Sequence, residues 1–92
     1  MSVITRFATW STIQGIMSAD CAEIEGLCGQ VTQDGGVWVA EVWFARFDEQ
    51  SDREVAMPNI LHVKCSSAEY ARFQVEQAFE GLVTGLSGRI TF

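Results

Sequence analysis

No apolar run in this chain approaches the ~20 residues a helix needs to cross a bilayer, so no membrane span is expected. The N-terminus lacks a basic segment followed by an apolar one, so no export signal is expected and the chain reads as cytoplasmic. Its three cysteines, Cys21, Cys28 and Cys65, form no Cys-x-x-Cys pair. Their odd number and scatter suit buried, reduced thiols. With the lone His62 they do not make up the ligand set of a zinc site, and no cofactor is expected. There is no phosphate-binding loop either, because Gly35-Gly36 opens an extended run and lacks the lysine of a P-loop. Nucleophilic catalysis needs a nucleophile beside a base. His62 and Cys65 sit three positions apart in one extended segment, which points them to opposite faces. Acid pairs such as Glu23 and Glu25, or Glu76 and Glu80, read as solvated helix faces rather than paired catalytic carboxylates. The chain is not expected to be an enzyme.

What is present is apolar bulk and negative charge. Of 92 residues, 48% are hydrophobic, which argues for one ordered domain. Twelve acidic residues against six basic ones give a formal charge of −6. Such a charge aids solubility, disfavours nonspecific nucleic-acid binding and suits a partner with a basic surface.

The most apolar stretch, Val37 to Phe47, is rich in β-branched and aromatic residues and reads as a strand. Alternation puts Trp38, Ala40, Val42 and Phe44 on one face and Val39, Glu41, Trp43 and Phe47 on the other. Upstream, Ser2 to Phe7 alternates as a short strand. From Trp10 to Cys28, apolar residues recur in steps of three and four, and this spacing predicts a helix. Gly15 and Gly26 weaken that helix, and Asp20 with Glu23 makes a second capping pattern within it. A competing reading makes Ile24 to Val31 a strand paired with Val37 to Phe47. Gln33 to Gly36 is turn chemistry. Asp48 to Glu54 holds four acids and one base and reads as a solvated loop, with an acidic recognition knob as the functional alternative. Ile60 to Cys65 reads as a strand. Ser66 to Glu69 has the form of a capping box opening a helix from Ser67 to about Thr84. That helix carries Tyr70 and Phe73 opposite its apolar stripe. Gly85 and Gly88 are expected to stop it, and Gly88 to Phe92 is expected to form a last strand.

Strand, helix, strand, strand, helix, strand is the ferredoxin-like βαββαβ order, an α+β fold with both helices on one face of an antiparallel sheet. The uncharged side of each strand should meet the helices. The open side would then collect Arg6, Glu41, Trp43, His62, Lys64 and Arg89.

Three functional readings follow. The first is an interaction protein that inhibits a nucleic-acid-binding complex by covering its surface. Trp43, Glu41, Arg6, Lys64 and Arg89 on the sheet, Tyr70 and Phe73 on the helix, and Asp48, Glu49 and Asp52 in the loop are its candidate contacts. In size, acidity and fold style the chain resembles phage-encoded anti-CRISPR proteins; no residue motif is shared. The resemblance implies blocking of target-DNA recruitment to a CRISPR surveillance complex and its guide RNA, in the host cytoplasm. The second reading is a single-stranded RNA contact through Arg6, Trp43, Lys64 and Arg89. Ile60 to Cys65 lacks the glycine and aromatic pattern of the RNA-recognition signature. The third is a homo-oligomeric structural or regulatory domain, such as a homodimer, with two open sheet faces packed together.

Overall fold

The computed structural model describes residues 2–4 and 7–90, with only the backbone described at 2–4, 47, 56 and 86–90. Arg6, Thr91 and Phe92, each assigned to a strand from the sequence, lie outside the described residues. Among the described residues the chain forms β1 (Ser2–Ile4), β2 (Ala8–Ile13), β3 (Ile16–Cys21), β4 (Leu27–Asp34), β5 (Val37–Asp48), β6 (Arg53–Ala56), β7 (Leu61–Cys65) and α1 (Ala68–Ile90). Every strand pair is antiparallel. Strands β1 to β6 neighbour one another in chain order, and β7 returns to β5. The fold is a mostly β meander with one C-terminal helix on one face. This overturns the ferredoxin-like α+β expectation with its two helices.

The error lies in 10–28, where the spacing predicted a helix and the chain instead makes most of β2, all of β3 and the start of β4. Ile13 pairs with Ile16 across a two-residue turn. Gln14 and Gly15 in that turn have φ of 51° and 81°. Two successive positive φ values match the twist of flanking strands, so this hairpin closes tightly. A second glycine, Gly26 (φ 84°), turns the chain from β3 into β4. Its carbonyl accepts the Ala45 N–H at 2.7 Å. Strand β4 then pairs with β5 from Leu27–Phe44 to Asp34–Val37; the competing strand reading of Ile24 to Val31 has the same partner strand but begins and ends three residues too early.

The acidic segment after β5 is exposed from Glu49 to Glu54, as expected of a solvated loop, and is built as a hairpin turn. The Asp48 carboxylate accepts the Ser51 hydroxyl at 2.8 Å and the Gln50 N–H at 3.3 Å, and Arg53 and Glu54 already belong to β6. Strands β6 and β7 follow each other along one edge of β5. The register of β6 on β5 pairs Ala45 with Ala56, whereas that of β7 pairs Val42 with Leu61. The residues gained between them, around Pro58, form a bulge. Met57 N–H donates to the Phe44 carbonyl and Ile60 N–H to the Val42 carbonyl, each at 2.7 Å.

One face of the sheet carries Ala8, Trp10, Ala19, Leu27, Val31, Ala40, Val42 and Cys65, all buried against Ala71, Val75 and Phe79 of α1. Small residues, Ala19, Ala40 and Gly29, share this face with Trp10, Leu27, Val31 and Val42, and Gly29 is the tightest position. A Cβ there would collide with the Val75 side chain and sit 3.3 Å from the Phe79 ring. Across the helix, Trp10 Nε1–H donates to Glu76 at 2.9 Å. The helix is capped by Ser67 rather than Ser66: its Oγ accepts the Tyr70 N–H at 3.2 Å. It also runs through Gly85 and Gly88, where a stop and a final strand were expected. A glycine weakens a helix by about 1 kcal/mol without ending it. Leu82 and Val83, just before Gly85, still pack on the core.

Candidate functional site

The two faces of β5 separate as its alternation predicts. Trp38, Ala40, Val42 and Phe44 meet the helix or its surrounding core, and Val39, Glu41 and Trp43 turn to the opposite face. Among the described residues no helix or second sheet covers that opposite face. Cross-strand partners share a face, so the registers assemble it row by row. One row runs Trp43, Cys28, Asp20, Thr9. The next runs His62, Glu41, Gln30, Ser18, Ser11. A third holds Lys64, Val39 and Thr32. His62, Lys64, Asp20 and Ser18 are exposed, Trp43, Cys28, Glu41 and Gln30 partly so. Val39 is buried on this side by its neighbours and stands outside the helix-side core.

The face is polar, with one aromatic. Glu41 accepts the Asn59 side-chain amide at 2.9 Å, which fixes the carboxylate beside the bulge. At the end nearest Trp43 there is a shallow cleft of about 300 Å³ bordered by Asp20, Glu25, Cys28, Arg46 and Glu54. Burial raises the Cys28 thiol pKa above its ordinary value, and the nearby Asp20 and Glu54 carboxylates raise it further. The thiol lies 3.9 Å from Asp20 Oδ1 and 3.6 Å from the Gly26 carbonyl. A thiol held protonated among carboxylates is a poor nucleophile. Among the described residues no group of three or more His, Cys, Asp or Glu is placed to hold a metal ion.

The structure brings together Trp43, Glu41 and Lys64 on this face. Of the basic residues expected there, Lys64 is on this face. Arg89 falls within α1, not on a strand, and its side chain, like all of Arg6, is outside the described residues. Tyr70 and Phe73 lie on the outer side of α1, 50% and 52% exposed, with rings 6.2 Å apart and inclined by 23°. Asp48, Glu49 and Asp52 gather at the β5–β6 turn, away from the Trp43 row. Asp20, Cys28 and Gln30 were not among the sequence candidates: the helical reading of 10–28 took Asp20 and Cys28 off the sheet and left Gln30 just past the helix end. The alternative strand reading of Ile24 to Val31 was the signal for Cys28 and Gln30 but did not reach Asp20; the structure pairs Cys28 with Trp43.

Among the described residues no helix is long and apolar enough to cross a membrane. No family model, curated protein or solved structure matches the chain, so the geometry of this face stands without a relative to interpret it.

Proposed function

We propose that the protein is a non-catalytic binding module that covers a basic surface of a partner protein with the open face of its sheet. The observation that carries this reading is the row Trp43–Cys28–Asp20 with Glu41 alongside, on a side that the described chain leaves uncovered. Trp43 supplies a flat apolar anchor, and interface anchors are commonly aromatic. Asp20, Glu41 and the rim acids Glu25 and Glu54 attract lysine and arginine side chains, within a molecule of formal charge −6. The same acids repel a phosphate backbone, which sets this reading above RNA contact. Basic grooves are characteristic of proteins that hold nucleic acid, so the partner class is a nucleic-acid-handling protein. The effect is competition with its nucleic acid. Blocking of target-DNA recruitment to a CRISPR surveillance complex is the specific form suggested by the resemblance to anti-CRISPR proteins.

The test is affinity capture from a bacterial lysate with the wild-type chain and with a Trp43→Ala/Asp20→Lys/Glu41→Lys variant of native circular dichroism. Recovery of a nucleic-acid-binding complex by the wild type alone supports the reading. Recovery of no such complex, or equal recovery by both chains, overturns it.

A further inference from the structure

A second surface, separate from the open face, lies along the outer edge of β7. Leu61 faces Val42 across the ladder, and Val42 directs its carbonyl to this side of β5, accepting the Ile60 N–H at 2.7 Å. By the alternation of an antiparallel ladder, Leu61, Val63 and Cys65 turn their backbone groups toward β5. His62 and Lys64 turn theirs outward. No other described strand pairs with β7, so those outward groups have no ladder partner. Pro58 interrupts the edge, but in the bulge, before β7 begins.

The helix beside this edge is divided by charge. At 100° per residue, Glu69, Arg72, Glu76 and Glu80 share one flank. That flank faces β2, because Glu76 accepts the Trp10 N–H. The opposite flank, toward β7, carries Tyr70, Gln74, Gln77 and Gly81, with Phe73 at its outer rim, and has no charged residue. Exposed apolar side chains continue beside the edge at Met57 and Ile60, 41% and 47% accessible.

We infer that the chain forms a two-fold dimer by antiparallel pairing of β7 with β7 of a second copy, centred on Val63. The outward groups of His62 then meet those of the partner's Lys64, and the reverse, so both ladder partners are supplied. Both helices lie on one side of the joined sheet, with their uncharged flanks facing. Leu61 and Val63, partly exposed at the edge of a single chain, become interior. The charge division selects a second copy as occupant. Two chains of formal charge −6 can approach closely only where neither presents acids, and this flank is such a place while Glu69, Glu76 and Glu80 point away.

Sedimentation equilibrium from micromolar to millimolar chain tests this, with hydrogen exchange of the His62 and Lys64 amides on the same samples. The wild type is expected to rise to twice the chain mass, with both amides gaining protection as concentration rises. Lys64→Pro removes an outward N–H that the single chain does not use in its ladder. Gln77→Glu places an acid at the exposed helix flank. Each is expected to weaken dimerisation about tenfold or more at unchanged circular dichroism, while Glu69→Gln on the charged flank leaves it unchanged. A wild type that stays monomeric throughout overturns the inference. So does a dimer indifferent to both variants, or one whose formation leaves the His62 and Lys64 amides unprotected. Should Lys64→Pro fail to fold, Gln77→Glu and the amide protection decide.

Discussion

The indole N–H of Trp10 donates to the Glu76 carboxylate at 2.9 Å across 66 residues of sequence. It joins the second strand of the meander to the middle of α1. Trp10 itself is 5% exposed. Trp10→Phe keeps most of the buried ring and removes the donor. A hydrogen bond to a charged group contributes about 1.5–3 kcal/mol, and Glu76 can partly rehydrate, so the expected loss is about 1–2 kcal/mol. Glu76→Gln retains a neutral acceptor and should lose about half as much. Urea unfolding of both variants measures this, and equal stability of all three proteins would refute a structural role for the bond.

Gly29 is where the helix comes closest to the sheet. Gly29→Ala sets a methyl group against Val75 and should destabilise by about 1–3 kcal/mol through overpacking. Adding Val75→Ala opens room for that methyl. The two changes should therefore couple, with the double variant more stable than the sum of the single effects predicts. A double-variant cycle in urea reads the coupling directly; strict additivity would mean that the helix shifts instead.

The β2–β3 turn holds a non-glycine residue, Gln14, at φ 51°. Asparagine tolerates that conformation better and is preferred before glycine in such turns. Gln14→Asn is expected to raise the unfolding free energy by about 0.5 kcal/mol, and Gly15→Val, at φ 81°, to lower it by about 1–2 kcal/mol. Paired thermal melts give both signs in one experiment.

Cys28 should alkylate slowly. Burial first, then the Asp20 and Glu54 carboxylates, hold its thiol pKa above the ordinary value, so at any pH near neutrality less thiolate is present than in a free peptide. Its iodoacetamide rate is expected to lag a cysteine peptide at pH 8 and to catch up only at more alkaline pH. Asp20→Asn and Glu54→Gln each remove a raising influence and should move the rate profile toward lower pH. Profiles that coincide in all three proteins would contradict the assigned causes. Cys21 and Cys65 are buried and should stay unreacted until the chain unfolds.

The strand from Val37 onward, its two faces, the turn at Gly35, the strand ending at Cys65 and the helix after Ser67 were legible because large β-branched and aromatic residues or capping groups mark them. The meander from Ala8 to Cys28 was not. Its core-facing positions include Ala8 and Ala19, followed by Gly29 directly under Val75 of α1, and small residues leave little mark in a hydrophobic pattern. The larger residues that remained, Trp10, Ile13, Ile16 and Met17, belong to two strands joined by a two-residue turn. That connection mimics helical spacing. Ile13, at 70% exposure on the hairpin tip, entered the supposed stripe without being in any core. Misplacing this segment also hid the Asp20 and Cys28 half of the open face. At the other end, Gly85 and Gly88 looked like stop signals, yet α1 runs through both, since the helix penalty of a glycine is modest.

The order of elements along the chain also sets an order of events. Apart from the β5–β7 pair, each strand pairs with its immediate predecessor in sequence, so the sheet can zip locally and fast. Its greasy side, however, is roofed by α1, whose buried Ala71, Val75 and Phe79 follow every strand. A nascent chain that has emerged as far as Cys65 therefore displays a formed but roofless sheet, and the interval before residues 68–79 arrive is when this protein is most prone to clump or to call on a chaperone.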